Sequence, residues 1–121
     1  MMSENELTIV INTFNSDEKI FSCIDSIDQN IKIIIIENSK NLEFKNNLEQ
    51  KYNNVTCYLA EDNLGYAKGN NLGLSKVKTS YALILNPDTI LDKNAVKNFF
   101  VNVKNSLDFA IIGPAVQEKK D

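Results

Sequence analysis

The segment KIIIIE, Lys32–Glu37, puts isoleucine at every position from 33 to 36. A strand with one face in water alternates apolar and polar residues, so an unbroken run of this kind is expected of a strand covered on both faces, as in a parallel sheet between helical layers. The neighbouring segments agree. LTIVIN, Leu7–Asn12, is apolar and β-branched, and the polar TFNSDE behind it supplies turn residues and a helix start together. Ser16 is placed to cap that helix, with Asp17 and Glu18 at the positive end of its dipole. Ile20, Cys23, Ile24 and Ile27 then fall at i, i+3, i+4 and i+7, which makes one helical face apolar. Phe44, Leu48 and Tyr52 recur every fourth residue and predict a second amphipathic helix, followed by a third strand over VTCYLA, Val55–Ala60.

The segment EDNLGYAKGNNLGLSKVKTS, Glu61–Ser80, reads as a loop entering a helix on which Ala67, Leu74 and Val77 share a face. Its Gly65, Gly69 and Gly73 lie four apart, and inside a helix each costs about 1 kcal/mol relative to alanine. Close packing of the helix on a sheet would offset that cost, as would approach of the backbone to a ligand with Gly65 in a left-handed turn. Tyr81–Leu85 is a fourth strand. Asp92 can cap a helix carrying Val96, Phe99, Phe100 and Val103, and FAII, Phe109–Ile112, reads as a fifth strand. Strands alternating with helices imply an α/β fold built of right-handed βαβ units, with a mainly parallel, Rossmann-like sheet and helices on both faces. Residues 1–121 make one domain, and the expected strand order is 3-2-1-4.

Composition narrows the chemistry. The formal charge of −3 leaves no basic stripe to neutralise phosphates, so no nucleic-acid partner is expected. No apolar run approaches the roughly 20 residues that span a bilayer, so no transmembrane segment is expected and the setting is read as cytoplasmic. Cys23 and Cys57 fall in apolar contexts, as buried free thiols do. Histidine and arginine are both absent, which removes the commonest general base and any bidentate phosphate clamp. Acid, base or metal chemistry must then use carboxylates, amides, hydroxyls and lysine.

In an open α/β sheet, ligands bind beyond the carboxyl ends of the strands, where strand order reverses. With order 3-2-1-4, one crevice would be lined by Thr13, Phe14 and Asn15 after the first strand, Glu37, Asn38 and Ser39 after the second, and Asn86, Pro87, Asp88 and Thr89 after the fourth. No G-x-G-x-x-G follows the first strand, so a helix N-terminus cradling a pyrophosphate is not expected there. A phosphorylated ligand would need another countercharge, and a hard Mg²⁺ or Mn²⁺ ion on Asp88 would provide it. Pro87 restricts the backbone and fixes Asp88 at the rim; alternatively, Asn-Pro-Asp is a turn in which Asp88 caps backbone amides. Glu37 could accept a hydrogen bond from the imide N3–H of uracil or thymine, or be an ordinary solvated strand end.

The segments TIVINTFN, IIIIENS, NLGYAKGNNLG and YALILNPDT, in this order and spacing, resemble the N-terminal half of family 2 glycosyltransferases of the GT-A fold, especially rhamnosyltransferase-like members. The resemblance runs from Leu7 to about Pro114. It implies a nucleotide-diphosphate-sugar donor, with Thr13 and Asn15 along the nucleoside, Glu37 meeting the base, Asn38 among the donor-binding residues, Asn63 to Gly65 beside the nucleotide, and Asn86 and Asp88 at the family's metal-binding D-x-D position. Asn86 replaces the first carboxylate of that triplet, Glu37 stands where aspartate is more usual, and Lys68 where a small residue is. The implied reaction inverts the anomeric carbon as an acceptor hydroxyl, belonging to a glycan or a lipid-linked molecule, displaces the nucleoside diphosphate. In that family the catalytic base and acceptor site lie in the C-terminal half. The chain is therefore expected to be a donor-binding part truncated on its C-terminal side, inactive alone, and belonging to a full-length protein peripheral to the membrane. An exposed sheet edge or apolar patch would favour a homodimer. The competing reading is a noncatalytic nucleotide-binding or scaffold module of the same fold.

Overall fold

The computed structural model describes residues 6–15, 18–92, 94 and 96. In chain order these form β1 (Leu7–Thr13), α1 (Glu18–Asp25), β2 (Lys32–Glu37), α2 (Leu42–Lys51), β3 (Val55–Leu59), α3 (Gly65–Ser75) and β4 (Tyr81–Leu85). The strands make a parallel sheet, as the isoleucine run and the strand–helix alternation lead one to expect, and its order is the expected β3-β2-β1-β4. Its register pairs Thr13 with Glu37 and Ile11 with Leu85, so β1, β2 and β4 end at nearly the same level.

Successive side chains of a strand leave opposite faces. Leu7, Ile9, Ile11, Ile33 and Ile35 pack against Ile20, Cys23 and Ile24 of α1 and Phe44 and Leu48 of α2. Ile34 and Ile36 form a second cluster with Ala60, against which Leu64 and Leu72 pack at α3. Thus α1 and α2 cover one face and α3 the other, which is why β2 needs isoleucine at consecutive positions. Both thiols are buried and free. Burial pushes Cys23 up to about 11 and Cys57 up to about 12.

The face of α3 departs from the expected one. Of the expected apolar set, Val77 packs against the Ile34, Ile36 and Ala60 cluster just beyond the helix, but Ala67 is exposed, and the buried residues of α3 itself are Gly69, Asn70 and Gly73. A Cβ on Gly73 would overlap Val10 Cγ1 and lie 3.3 Å from Ile36 Cγ1, while one on Gly69 would overlap the carboxamide of Asn12. The helix lies too close to β1 and β2 for a side chain, and apolar periodicity cannot register a contact made by missing atoms. The close approach compensates the poor helix propensity of these glycines.

The outer edge of β3 is closed by α2. The Cys57 amide donates to Glu49 Oε2 at 2.8 Å, and Lys45 Nζ donates to the Cys57 carbonyl at 2.7 Å and to Glu49 Oε2 at 2.9 Å. An unpaired strand edge invites pairing with another chain, and these two side chains occupy it. Partial burial of Glu49 opposes its charge, but the Cys57 amide and Lys45 together hold its carboxyl below the ordinary 4.5. Among the described residues β4 pairs only with β1, so the open edge lies at β4. Asn94 N donates to Asp92 Oδ1 at 3.3 Å, and the start of the helix that Asp92 is expected to cap lies outside the described residues. The Ser16–Asp17 helix start, the positions Phe99, Phe100 and Val103, and the strand Phe109–Ile112 lie outside the described residues.

Gly73→Ala is expected to lower stability by about 1–3 kcal/mol through overpacking against Val10, despite its better helix propensity. Ala67→Gly on the exposed face of α3 should cost about 1 kcal/mol through propensity alone. Urea unfolding midpoints check both, and a Gly73→Ala midpoint at or above the parent's would contradict the close approach. Glu49 contributes stability fully above its unfolded value of 4.5 and loses that contribution as pH falls through its lower folded value. The stability difference between parent and Glu49→Gln, measured by unfolding across pH, should therefore shrink on acidification below 4.5.

Candidate functional site

Because the strands are parallel, their carboxyl ends share one rim. From β1 the chain moves outward to β2 and β3, then returns to place β4 on the other side of β1. The reversal at β1 and β4 is where such sheets bind ligands. The structure brings the segments after β1, β2 and β4 to this rim, as expected.

On the α3 side, carboxamides tie the strand ends to the helix. Asn38 Nδ2 donates to Asn12 Oδ1 at 2.7 Å and to the Thr13 carbonyl at 2.9 Å, while Asn38 Oδ1 accepts from Leu64 N at 2.9 Å. Asn12 Nδ2 donates to the Gly65 carbonyl at 3.1 Å, and Asn63 Oδ1 accepts from Gly65 N at 3.1 Å. Gly65 has φ +78 with open space where a Cβ would stand, which is the left-handed turn expected there. Asn38 is buried and Asn63 exposed. Asn12 did not stand out in the sequence. Its signal is indirect, since the missing Cβ of Gly69 makes the room its carboxamide fills.

On the opposite face Glu37 is not a solvated strand end. It is 1% exposed, and its carboxylate is ringed by donors. Thr13 Oγ1, itself buried, donates to Oε1 at 2.7 Å; Ser39 N donates to Oε2 at 2.6 Å, and Ser39 Oγ donates to the same oxygen. Thr13 and Glu37 are thus joined directly, with their polar atoms turned inward. The loops beside them are bent by two left-handed residues, Asn15 with φ 53 and Lys40 with φ 58. The bend brings the Asn15 amide 3.4 Å from Ser39 Oγ.

Asn86 and Asp88 take different roles. Thr89 N donates to the Asn86 carbonyl at 3.1 Å, so the Asn-Pro-Asp segment is a turn closed by backbone, and the Cys23 thiol lies beneath it, 3.7 Å from the same carbonyl. Asp88 is exposed at the tip of this turn. Besides burial, its charge helps hold the Cys23 thiol up at about 11. Among the described residues no three Asp, Glu, His or Cys side chains converge as a metal cage. A single exposed carboxylate fits a hard divalent cation that takes its other ligands from water and phosphate oxygens, and does not fit a metal held by protein alone. Phe14, 54% exposed beside Asn15, adds an aromatic face at the rim, where it was expected among the residues after the first strand.

Among the described residues, no helix is long and apolar enough to cross a membrane. The chain is 27% identical over 118 residues to a teichoic acid poly(glycerol phosphate) polymerase of Staphylococcus epidermidis, a match covering 91% of this chain and 16% of that protein. It is 23% identical over 120 residues to the low-salt glycan biosynthesis hexosyltransferase Agl10 of Haloferax volcanii, covering 96% of this chain and 38% of the relative. Residues 1–349 of S. aureus TarS share the fold with a TM-score of 0.68 at 17% identity, over 82% of this chain and 32% of that one. The chain therefore spans well under half the length of these relatives. The pattern of Glycosyl transferase family 2 matches residues 8–120, and the chain belongs to that family.

Proposed function

We propose that this chain binds the donor of an inverting glycosyltransferase, taking a UDP- or dTDP-linked sugar for transfer to a glycan or a lipid-linked acceptor. The observation that carries this reading is the convergence of three strand ends on one rim where Asp88 stands exposed at the tip of a backbone-closed turn. A hexosyltransferase of glycan biosynthesis among the relatives supports a sugar donor. Asn86 in place of a first carboxylate supports the narrower likeness to rhamnosyltransferases.

In this reading Asp88 grips Mg²⁺ or Mn²⁺ together with the donor's phosphates. When bound, the cation supplies charge to offset that growing on the departing diphosphate. The chain's own residues do the positioning. Phe14 offers a face to the base, Asn15 and Thr13 shape the wall along the nucleoside, and Glu37 and Asn38 set the β2 loop from below. Asn63 and Gly65 form the turn beside the nucleotide. The hydroxyl of the acceptor needs a carboxylate base, which the reading assigns to the part of the longer relatives beyond the matched segment. The setting proposed is cytoplasmic, where free thiols such as Cys23 and Cys57 stay reduced.

Calorimetric titration of UDP and dTDP tests the reading. Manganese should strengthen binding of at least one of them, and Asp88→Asn, nearly isosteric but uncharged, should remove most of that gain, about tenfold or more in affinity. Equal affinity with and without manganese in the parent chain would overturn the role given to Asp88.

A further inference from the structure

The turn that carries Asp88 is held from outside the sheet, by the end of α1. A single backbone hydrogen bond, from Thr89 N to the Asn86 carbonyl at 3.1 Å, closes the turn on itself, and that bond alone does not fix how the turn sits on the molecule. Cys23 and Ser26 supply the rest. Cys23 Sγ donates to the Asn86 carbonyl at 3.7 Å, on the limb that enters the turn. Ser26 Oγ accepts from Leu91 N at 2.9 Å, on the limb that leaves it. The same hydroxyl donates to the Cys23 carbonyl at 2.6 Å, so its proton is committed to α1 and a lone pair meets the Leu91 amide. Leu91, 9% exposed, belongs to the core cluster that contains Ile20, Cys23 and Ile24. Asp88 lies between the two ties in the chain, and neither of them uses its side chain.

We propose that Ser26 is a positioning residue for the cation: by holding the Leu91 amide it seats the Asn86–Thr89 turn on α1 and keeps the Asp88 carboxylate where it can grip metal and diphosphate together. A cation shared between a protein carboxylate and phosphate oxygens needs both at coordination distance at once. An exposed carboxylate on a turn tied at one limb only would occupy that place for part of the time, and apparent affinity falls in proportion to that fraction. Cys23, a weak S–H donor, is the lesser of the two ties. The inference rests on the reading of Asp88 as the cation's ligand and adds the residue that holds it in place.

Titration of the 121-residue chain with UDP, with and without manganese, measures the gain in affinity that the cation brings. Ser26→Ala should cut that gain by about threefold to tenfold and leave the metal-free affinity at the parent's value, while Ser26→Thr, which retains the hydroxyl, should keep the gain. Glu49→Gln, which weakens the far edge of the sheet, should lower stability and leave the gain intact. In the Asp88→Asn chain Ser26→Ala should have no further effect, because both act on one step. An undiminished gain in a folded Ser26→Ala chain, or an equal loss of affinity in the Asp88→Asn background, would overturn the inference. Should Ser26→Ala fail to fold, the parent alone provides the test, because a bond that favours cation binding must be favoured by the cation to the same degree. Hydrogen exchange at the Leu91 amide should slow by about threefold to tenfold more than at the amides of α2 when magnesium and UDP are added. Slowing no greater than that of α2 would overturn the inference and leave cation-dependent binding intact. A parent chain that gains nothing from manganese would overturn the underlying reading of Asp88 as well.

Discussion

Helix α3 rests on β1 and β2 at a distance that only missing side chains permit, and the geometry of the α3 side of the rim follows from that contact. Gly73 accommodates Val10 and Gly69 accommodates Asn12, so the first turns of α3 come within hydrogen-bonding reach of the strand ends. Asn12 and Asn38 then span the gap to Gly65 and Leu64. The buried Asn38 carboxamide left without its partners would cost about 1–3 kcal/mol, which disfavours partial assembly of the network. Glycine spacing and asparagine placement are two halves of one device. The glycines let the helix come close, and the asparagines fix where along the strands it stops.

The polar residues at the strand ends divide by burial into two kinds. Thr13, Glu37 and Asn38 are buried and spend their hydrogen bonds within the protein, whereas Asn15, Asn63, Gly65 and Asp88 are exposed. A loop at a ligand-binding rim cannot hold its own shape by apolar packing, since its outer side must stay open. Its backbone amides and carbonyls are anchored from beneath instead, by side chains of the last strand residues. Asn38 and Glu37, adjacent in sequence and pointing to opposite faces of the sheet, do this for α3 and for the Ser39 loop respectively.

Most of the framework was legible because it depends on the kind of pattern a linear reading detects. Four isoleucines in a row, helical spacing around Ile20 and Phe44, and strand–helix alternation suffice for a parallel sheet with helices on both faces, while the order 3-2-1-4 was expected together with the family resemblance. The face of α3 was not legible in the same way. Apolar periodicity pointed to Ala67, Leu74 and Val77, of which Val77 does pack on the sheet, but the contact made by α3 itself is marked by the glycine spacing. The rim residues were found by their position after strands, but their orientations were not. Whether Glu37 meets solvent or turns inward depends on Thr13 and Ser39, one on another strand and one in a loop, and sequence order shows neither contact. Asn12 was hidden for the same reason, since it sits inside an apolar strand and its partners lie 26 and 53 positions away.

Two carboxylates at one rim illustrate how environment assigns chemistry in a chain with neither histidine nor arginine. Glu37 sits at the end of a fully covered strand, and its negative charge is tolerated because hydroxyls and an amide replace the water it has lost. With three donors around it and only 1% of its surface exposed, it turns no oxygen outward and serves to hold the loop. Asp88 follows a proline at the outer end of β4, where the turn is closed by backbone and asks nothing of the side chain. Among the described residues no donor is paired with its oxygens, and the side chain is exposed. A longer side chain in a buried place thus becomes scaffold, and a shorter one on an exposed turn remains available for binding.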